Sequence, residues 1–136
     1  APVIPGDVMM DLTMDYDAIA KAGSMLGSGA VIVMDEANCM VRVLDRMSYF
    51  YYEESCGQCT PCREGTGWMH RVIHRIETGR GRPGDLDLLD DVAAKIQGRT
   101  ICALGDAAAM PVASFIRHFR DEFAYHIEHK RCPVGG

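Results

Sequence analysis

Three cysteines spaced two residues apart, Cys56, Cys59 and Cys62 in the stretch ESCGQCTPCR, limit the folds open to this chain more than any other feature. Two-residue gaps let a short loop curl until three sulfurs converge on adjacent corners of one cube of iron and sulfide. In a ferredoxin-type run, C-x2-C-x2-C-x3-C-P, a fourth cysteine would stand at position 66, but Thr66 is there. The loop therefore supplies three ligands, and the fold has to bring it a fourth.

Cys39, Cys102 and Cys132 remain for that corner. Cys102 ranks first, because RTICALGDAAAMPV reads as an apolar, buried turn between helical segments, surroundings that suit a cluster. Cys132 precedes Pro133 but lies near the end of the sequence, and Cys39 follows the polar turn Asp35-Glu36-Ala37-Asn38. Zinc is the competing metal. Its four-thiolate sites draw on two separate C-x2-4-C pairs, and no second pair is present here. Free or redox-active thiols are the third alternative.

Composition narrows the rest. The 136 residues are 48% hydrophobic, enough for a core, and 14 Lys and Arg against 19 Asp and Glu give a net charge of -5. No overall basic field exists to hold nucleic acid or anionic lipid. No apolar run reaches the roughly 18 residues of a membrane-spanning helix, and no signal segment opens the sequence. Clustered cysteines make a poor disulfide framework, so the expected compartment is reducing, cytoplasm or organelle matrix. The absence of an initial methionine suggests a cut end.

In chain order, Asp15 predicts a capped short helix over Tyr16 to Ala22, stopped by Gly23. The β-branched run Ala30 to Asp35 reads as a buried strand, making a small α+β unit, and the glycines between are turn residues rather than a nucleotide loop. From Asn38 a helix is expected over Met40 to Glu53, with Val43, Leu44, Met47, Phe50 and Tyr51 inward and the tyrosines packing. A second helix leaves the cysteine loop with Trp68, Met69, Val72, Ile73 and Ile76 buried and Gly79 as its stop. Its first N-H groups and Arg63 are placed to favour a reduced cluster.

His70 and His74 lack the glutamate of a metalloprotease helix, and His126, His129 and Cys132 offer at most an adventitious site. A third helix is expected with Asp85 as N-cap and Leu86, Leu89, Val92, Ala93 and Ile96 inward, its acids forming a solvated face. A fourth is expected from Met110 through Ile127, with Pro111 in its first turn and Val112, Phe115, Ile116, Phe119, Phe123 and Ile127 inward. Four helices with short connections predict a small bundle whose cysteine loop and Cys102 turn meet at one end.

The segments ESCGQCTPCREG, Glu54 to Gly65, and RTICALGDAAAMPVASFIRHFRDEF, Arg99 to Phe123, resemble the C-terminal region of the NADH-binding, 51 kDa-type flavoprotein subunit of respiratory complex I. That resemblance implies a [4Fe-4S] cluster on Cys56, Cys59, Cys62 and Cys102. It implies an α+β fold, residues 1-38 being the latter part of a β-grasp (soluble-ligand-binding) domain and residues 39-136 a helical iron-sulfur-binding domain. The implied task is to take electrons from FMN reduced by NADH and pass them to a partner. The implied partners are other peripheral-arm subunits of complex I, its small and large iron-sulfur subunits (the twenty-four- and seventy-five-kilodalton types). Such a peripheral arm lies on the cytoplasmic face of a bacterial inner membrane, or on the matrix side in a mitochondrion, without itself entering the membrane. The family's FMN and NADH domain has no counterpart in these residues, so the chain alone is not expected to oxidise NADH. Met110 replaces a frequent tryptophan, and Lys130 to Gly136 match no motif. The same module in an NAD-linked hydrogenase or formate dehydrogenase is the alternative, and a structural zinc module is the alternative of another class.

Overall fold

Apolar residues recurring at three- and four-residue intervals form the stripes that pack this chain. The computed structural model describes residues 1-134, and among them it contains six helices and no strand. They are α1 (Gly6–Met9), α2 (Tyr16–Lys21), α3 (Met40–Glu54), α4 (Thr60–Glu77), α5 (Asp85–Ile96) and α6 (Leu104–His129). Helices α3 to α6 form the bundle. Each packs against the others except that α3 and α5 stand diagonally apart. The core joins Val41 and Leu44 of α3, Met69, Ile73 and Ile76 of α4, Leu89 and Ile96 of α5, and Val112, Phe115 and Phe123 of α6.

Short loops make successive helices antiparallel. One end of the bundle therefore gathers the end of α3, the start of α4, the end of α5 and the start of α6. There α4 and α5 touch closely: a Cβ on Gly65 would lie 2.6 Å from Ile96 Cδ1. The Gly98 N-H donates to Asp106 Oδ1 at 2.7 Å, tying the end of α5 to the start of α6. The opposite end gathers the start of α3, the end of α4, the start of α5 and the end of α6. The Met40 N-H donates to Glu122 Oε1 at 2.8 Å there, and Arg42 pairs with Glu77 at 3.1 Å.

Several expectations are corrected. Residues 30-35 form no strand, and Val31, Ile32 and Val33 are exposed, since no described segment offers them a ladder partner. The described chain is helical rather than α+β. Phe50 and Trp68 lie outside the buried stripes, 56% and 51% exposed, because Val41 and Ser48 rather than Phe50 complete the inner face of α3. Cys39, not Asn38, caps α3, and Gly84, not Asp85, caps α5. Helix α6 begins six residues before Met110, so Pro111 sits inside it. The helix breaks instead at Phe119, whose φ of -123° and ψ of 27° are not helical. The α2 expectation holds, with Asp15 Oδ1 accepting from Ala18 N at 2.7 Å.

Asp85 is buried rather than a surface cap. Its carboxylate accepts from Arg75 Nε at 2.8 Å and from the Arg82 N-H at 2.9 Å. Burial alone would raise its pKa, but the Arg75 guanidinium and the Arg82 N-H hold it below the ordinary carboxylate value. Arg75→Ala, which leaves this buried charge without its partner, is expected to cost about 3 kcal/mol in urea unfolding near neutral pH. Because the folded pKa is depressed, that contribution is present above the unfolded value of about 4 and is lost as pH falls through the folded value. The gap between wild type and variant should therefore close in acid.

Candidate metal centre

The cysteine loop is built by two helix ends. Helix α3 stops at Ser55, which turns extended (φ -65°, ψ 124°), and α4 starts after Cys59, which is also extended (φ -109°, ψ 140°). Between them Gly57 adopts φ +74°, a left-handed conformation that suits glycine. Thr60 and Pro61 open α4, where a missing proline N-H costs no helical bond. Cys62 follows on the first turn and is buried, whereas Cys59 is half-buried and Cys56 exposed.

Two side chains hold the loop. The Ser55 hydroxyl lies 3.2 Å from Cys62 Sγ and accepts from the Gly57 N-H at 3.4 Å. Arg63 donates from Nη1 to Gly57 O at 3.1 Å and pairs through Nε with Glu64 at 3.0 Å. Its charge is thus partly neutralised, and its contacts make it a brace for the loop more than a bare charge beside the sulfurs.

Cys102 lies in the connection from α5 to α6, at the same end of the bundle as this loop. It is exposed, as are Ile101 and Ala103, which corrects the expected buried turn. The α6 helix starts directly behind it and takes Leu104 to Ala109 out of the turn. Cys39 and Cys132 are placed elsewhere. Cys39 begins α3, whose 15 residues span about 22 Å, and so stands at the far end of the bundle.

Zinc and a cubane ask different spacings of their thiolates. Around one tetrahedral zinc ion, thiolates bonded at about 2.3 Å stand about 3.8 Å from one another. No three of Cys56, Cys59, Cys62 and Cys102 bring their sulfurs within 4.8 Å of one another. A cubane places each thiolate on a different iron, so its thiolates do not converge on a single ion. Cys56, Cys59, Cys62 and Cys102 thus lie at one end of the bundle, with the Ser55 hydroxyl beside the innermost, and thiols are the ligand type a [4Fe-4S] cluster takes.

The other titratable groups pair among themselves. His70 and His74 face Asp45 at 3.4 and 3.1 Å, and His70 lies between the rings of Tyr49 and Tyr52. Burial pushes the His70 pKa down. Asp87 and Asp90 face Arg120, at 2.8 and 3.5 Å, as the solvated acidic face should. His129 lies against Tyr125 with its ring tilted by 37°, and the partners of Cys132 are Cys39 and His126, a grouping that no motif in the sequence announces. Burial, with Cys132 and Glu77 adding to it against the pull of the Arg42 N-H, pushes the Cys39 thiol up to about 12.

Residues 42-126 match the family model described as the NADH-ubiquinone oxidoreductase-F iron-sulfur binding region. The second F subunit of NADH-quinone oxidoreductase from Rhizobium meliloti (strain 1021) is 50% identical over 133 residues, which are 98% of this chain and 31% of that protein. The F subunit of the same enzyme from Mycobacterium tuberculosis (strain ATCC 25618 / H37Rv) is 50% identical over 127 residues, 93% of this chain and 28% of that one. The chain thus spans less than a third of the length of either relative. An NAD+-reducing [NiFe]-hydrogenase in the H2-reduced state is similar in structure, with a TM-score of 0.66 and 31% identity over 77% of this chain and 17% of that one.

Arg63→Ala should free the loop without unfolding the bundle. Amide hydrogen exchange over residues 55-60 is expected to accelerate, while global stability changes by no more than about 0.5 kcal/mol.

Proposed function

The chain belongs to the family of NADH-ubiquinone oxidoreductase-F iron-sulfur binding regions, and from that premise we propose that it is an electron-relay segment with a [4Fe-4S] cluster on Cys56, Cys59, Cys62 and Cys102. The observation that carries the ligand set is the gathering of these four cysteines at one end of the bundle, with Cys39 and Cys132 at the other. The cluster, when bound, takes up and gives away one electron at a time.

The residues of the chain position and tune. Ser55 is placed to donate its hydroxyl proton in a hydrogen bond to the Cys62 thiolate, and the free N-H groups at the start of α4 face the same loop. Both favour the more negative, reduced state and raise its potential. Arg63 and Gly57 hold the loop closed. The exposure of Cys56 and Cys102 leaves an edge of the site open to a redox partner.

In the whole protein, the reading is a subunit of NADH:quinone oxidoreductase in which FMN, reduced by NADH in an upstream domain, feeds this cluster. The acceptor is then an iron-sulfur centre of the small or the large iron-sulfur partner, in a peripheral arm on the cytoplasmic or matrix side. Relatives of 50% identity among the F subunits support this reading. No described helix is long and apolar enough to cross a membrane. Residues 1-38 would be the latter part of a β-grasp domain, and the exposed run Val31, Ile32, Val33 supplies apolar β-branched residues for pairing there. The similarity to an NAD+-reducing hydrogenase keeps one second reading: the same relay in the diaphorase subunit of a hydrogenase or formate dehydrogenase.

Anaerobic reconstitution is expected to give about four irons and four sulfides per chain and an EPR signal that appears only on dithionite reduction. Cys102→Ala should lose the intact cubane, while Cys39→Ser and Cys132→Ser keep it. Ser55→Ala should retain the cluster at a lower reduction potential. One zinc without sulfide in the reconstituted wild type, or a full cubane in Cys102→Ala that requires Cys132, would overturn the assignment.

A further inference from the structure

We propose that Cys39, His126 and Cys132 form a second metal site, holding one zinc ion between two thiolates and an imidazole at the end of the bundle opposite the cysteine loop. Among the described residues these are the one group of three whose ligand atoms fall within 4.8 Å of one another. Cys39 Sγ lies 3.4 Å from His126 Nε2. That is close to the spacing of about 3.5 Å between sulfur and nitrogen ligands around one tetrahedral zinc.

The second ring nitrogen of His126 supplies independent support. His126 is fully buried, and its Nδ1 has no hydrogen-bond partner, yet it faces Glu77 Oε2 at 3.7 Å. Glu77 is itself held by Arg42 at 3.1 Å. The Glu77 carboxylate stands behind Nδ1, where such a group stands behind metal-bound histidines, and with the proton on Nδ1 the Nε2 lone pair is free to take a metal.

Both sulfurs also receive backbone donors. The Arg42 N-H reaches Cys39 Sγ and the Val134 N-H reaches Cys132 Sγ, each at 3.4 Å. A cysteine is a weak choice for capping α3 where Ser, Thr, Asn and Asp do better. Such donors suit a thiolate. The approach of Cys132 is built by backbone contacts. Lys130 turns left-handed after α6 (φ 57°), its carbonyl would lie 2.6 Å from a Cβ on Gly79, and its ammonium donates to Gly81 O. Only glycine at position 79 lets the tail fold back onto the end of α4.

Two sulfurs and one nitrogen select zinc over calcium or magnesium, and water completes the tetrahedron. Binding releases the two thiol protons to solvent. The ion would clamp the tail from Lys130 to Val134 onto the first turn of α3. None of these ligands is shared with the cysteine loop, so the zinc site stands whether or not the other four cysteines hold iron.

The test has two arms. In the first, the chain with its cubane loaded anaerobically is equilibrated with zinc, passed over a chelating resin, and analysed for zinc content and zinc-edge X-ray absorption. One zinc per chain is expected, with a shell of two sulfurs and two nitrogen or oxygen atoms. It should fall to background in the Cys39→Ser, Cys132→Ser double variant while iron and sulfide stay unchanged. In the second arm, Cys56, Cys59, Cys62 and Cys102 are all serine, helicity is verified by circular dichroism, and cobalt(II) is added. Sulfur-to-cobalt charge transfer and the visible bands of a tetrahedral site are expected, so failure of the cubane cannot be mistaken for failure of this site. Background zinc, an all-sulfur shell, or binding that survives loss of Cys39 and Cys132 overturns the proposal. So does a Cys39-Cys132 disulfide in protein purified without oxygen.

Discussion

The burial of one stripe on α4 decides where every cysteine of this chain stands. Met69, Val72, Ile73 and Ile76 face the other three helices of the bundle, and Gly65 and Gly67 let neighbours approach the first half of the helix. With α4 held on three sides, its two ends become fixed points. The start carries Cys59 and Cys62, and the last residue, Glu77, lies between Arg42 and His126. Loops on either side inherit their positions from a helix that cannot slide without exposing its stripe.

This dependence explains why the cysteine loop need not supply its own rigidity. It has no core residue besides Cys62, and Cys56 is exposed. Its shape comes from the extended caps at Ser55 and Cys59, the left-handed Gly57 and the Arg63 brace. The Ser55 hydroxyl beside Cys62 adds a polar donor at the deepest point of the loop, where burial strengthens its electrostatic effect. Such a loop is ordered by its ends and remains accessible along its edge.

Helices α2 to α5 were legible because their signals are local, whereas the short α1 was not foreseen. Periodic apolar residues, Asp15 before α2 and Gly79 and Gly98 after α4 and α5 each act within a turn or two. The four-cysteine set is a proposal drawn from pattern and resemblance, to which the fold adds that all four residues lie at one end of the bundle. Burial of Cys102 was not legible, because neighbouring apolar letters do not tell whether a turn faces the core or solvent. Nor was the state of Ala30 to Asp35, since a strand depends on partners remote in sequence, whereas a helix carries its hydrogen bonds within itself. Pro111 misled for a related reason: the packing of α6 on three helices tolerates the loss of one backbone bond, which propensity alone would forbid. His126 and Cys132 were visible together near the end of the sequence, but Cys39 lies 87 residues from His126, and only the antiparallel folding of α3 on α6 brings it to them.

The two cysteine groups therefore answer to different geometric demands in one small bundle. Three thiols on a curled loop and a fourth on the turn at the same end are the set proposed for a body with several metal atoms, each taking one thiolate. Sulfurs and an imidazole drawn within the radius of a single ion, backed by a carboxylate, suit one metal atom. The roughly 22 Å length of α3 between them keeps the sets from exchanging ligands. A chain with six cysteines has to keep the wrong thiols from meeting. Here that is achieved by helix length and direction: thiols at opposite ends of antiparallel helices cannot meet unless the bundle opens.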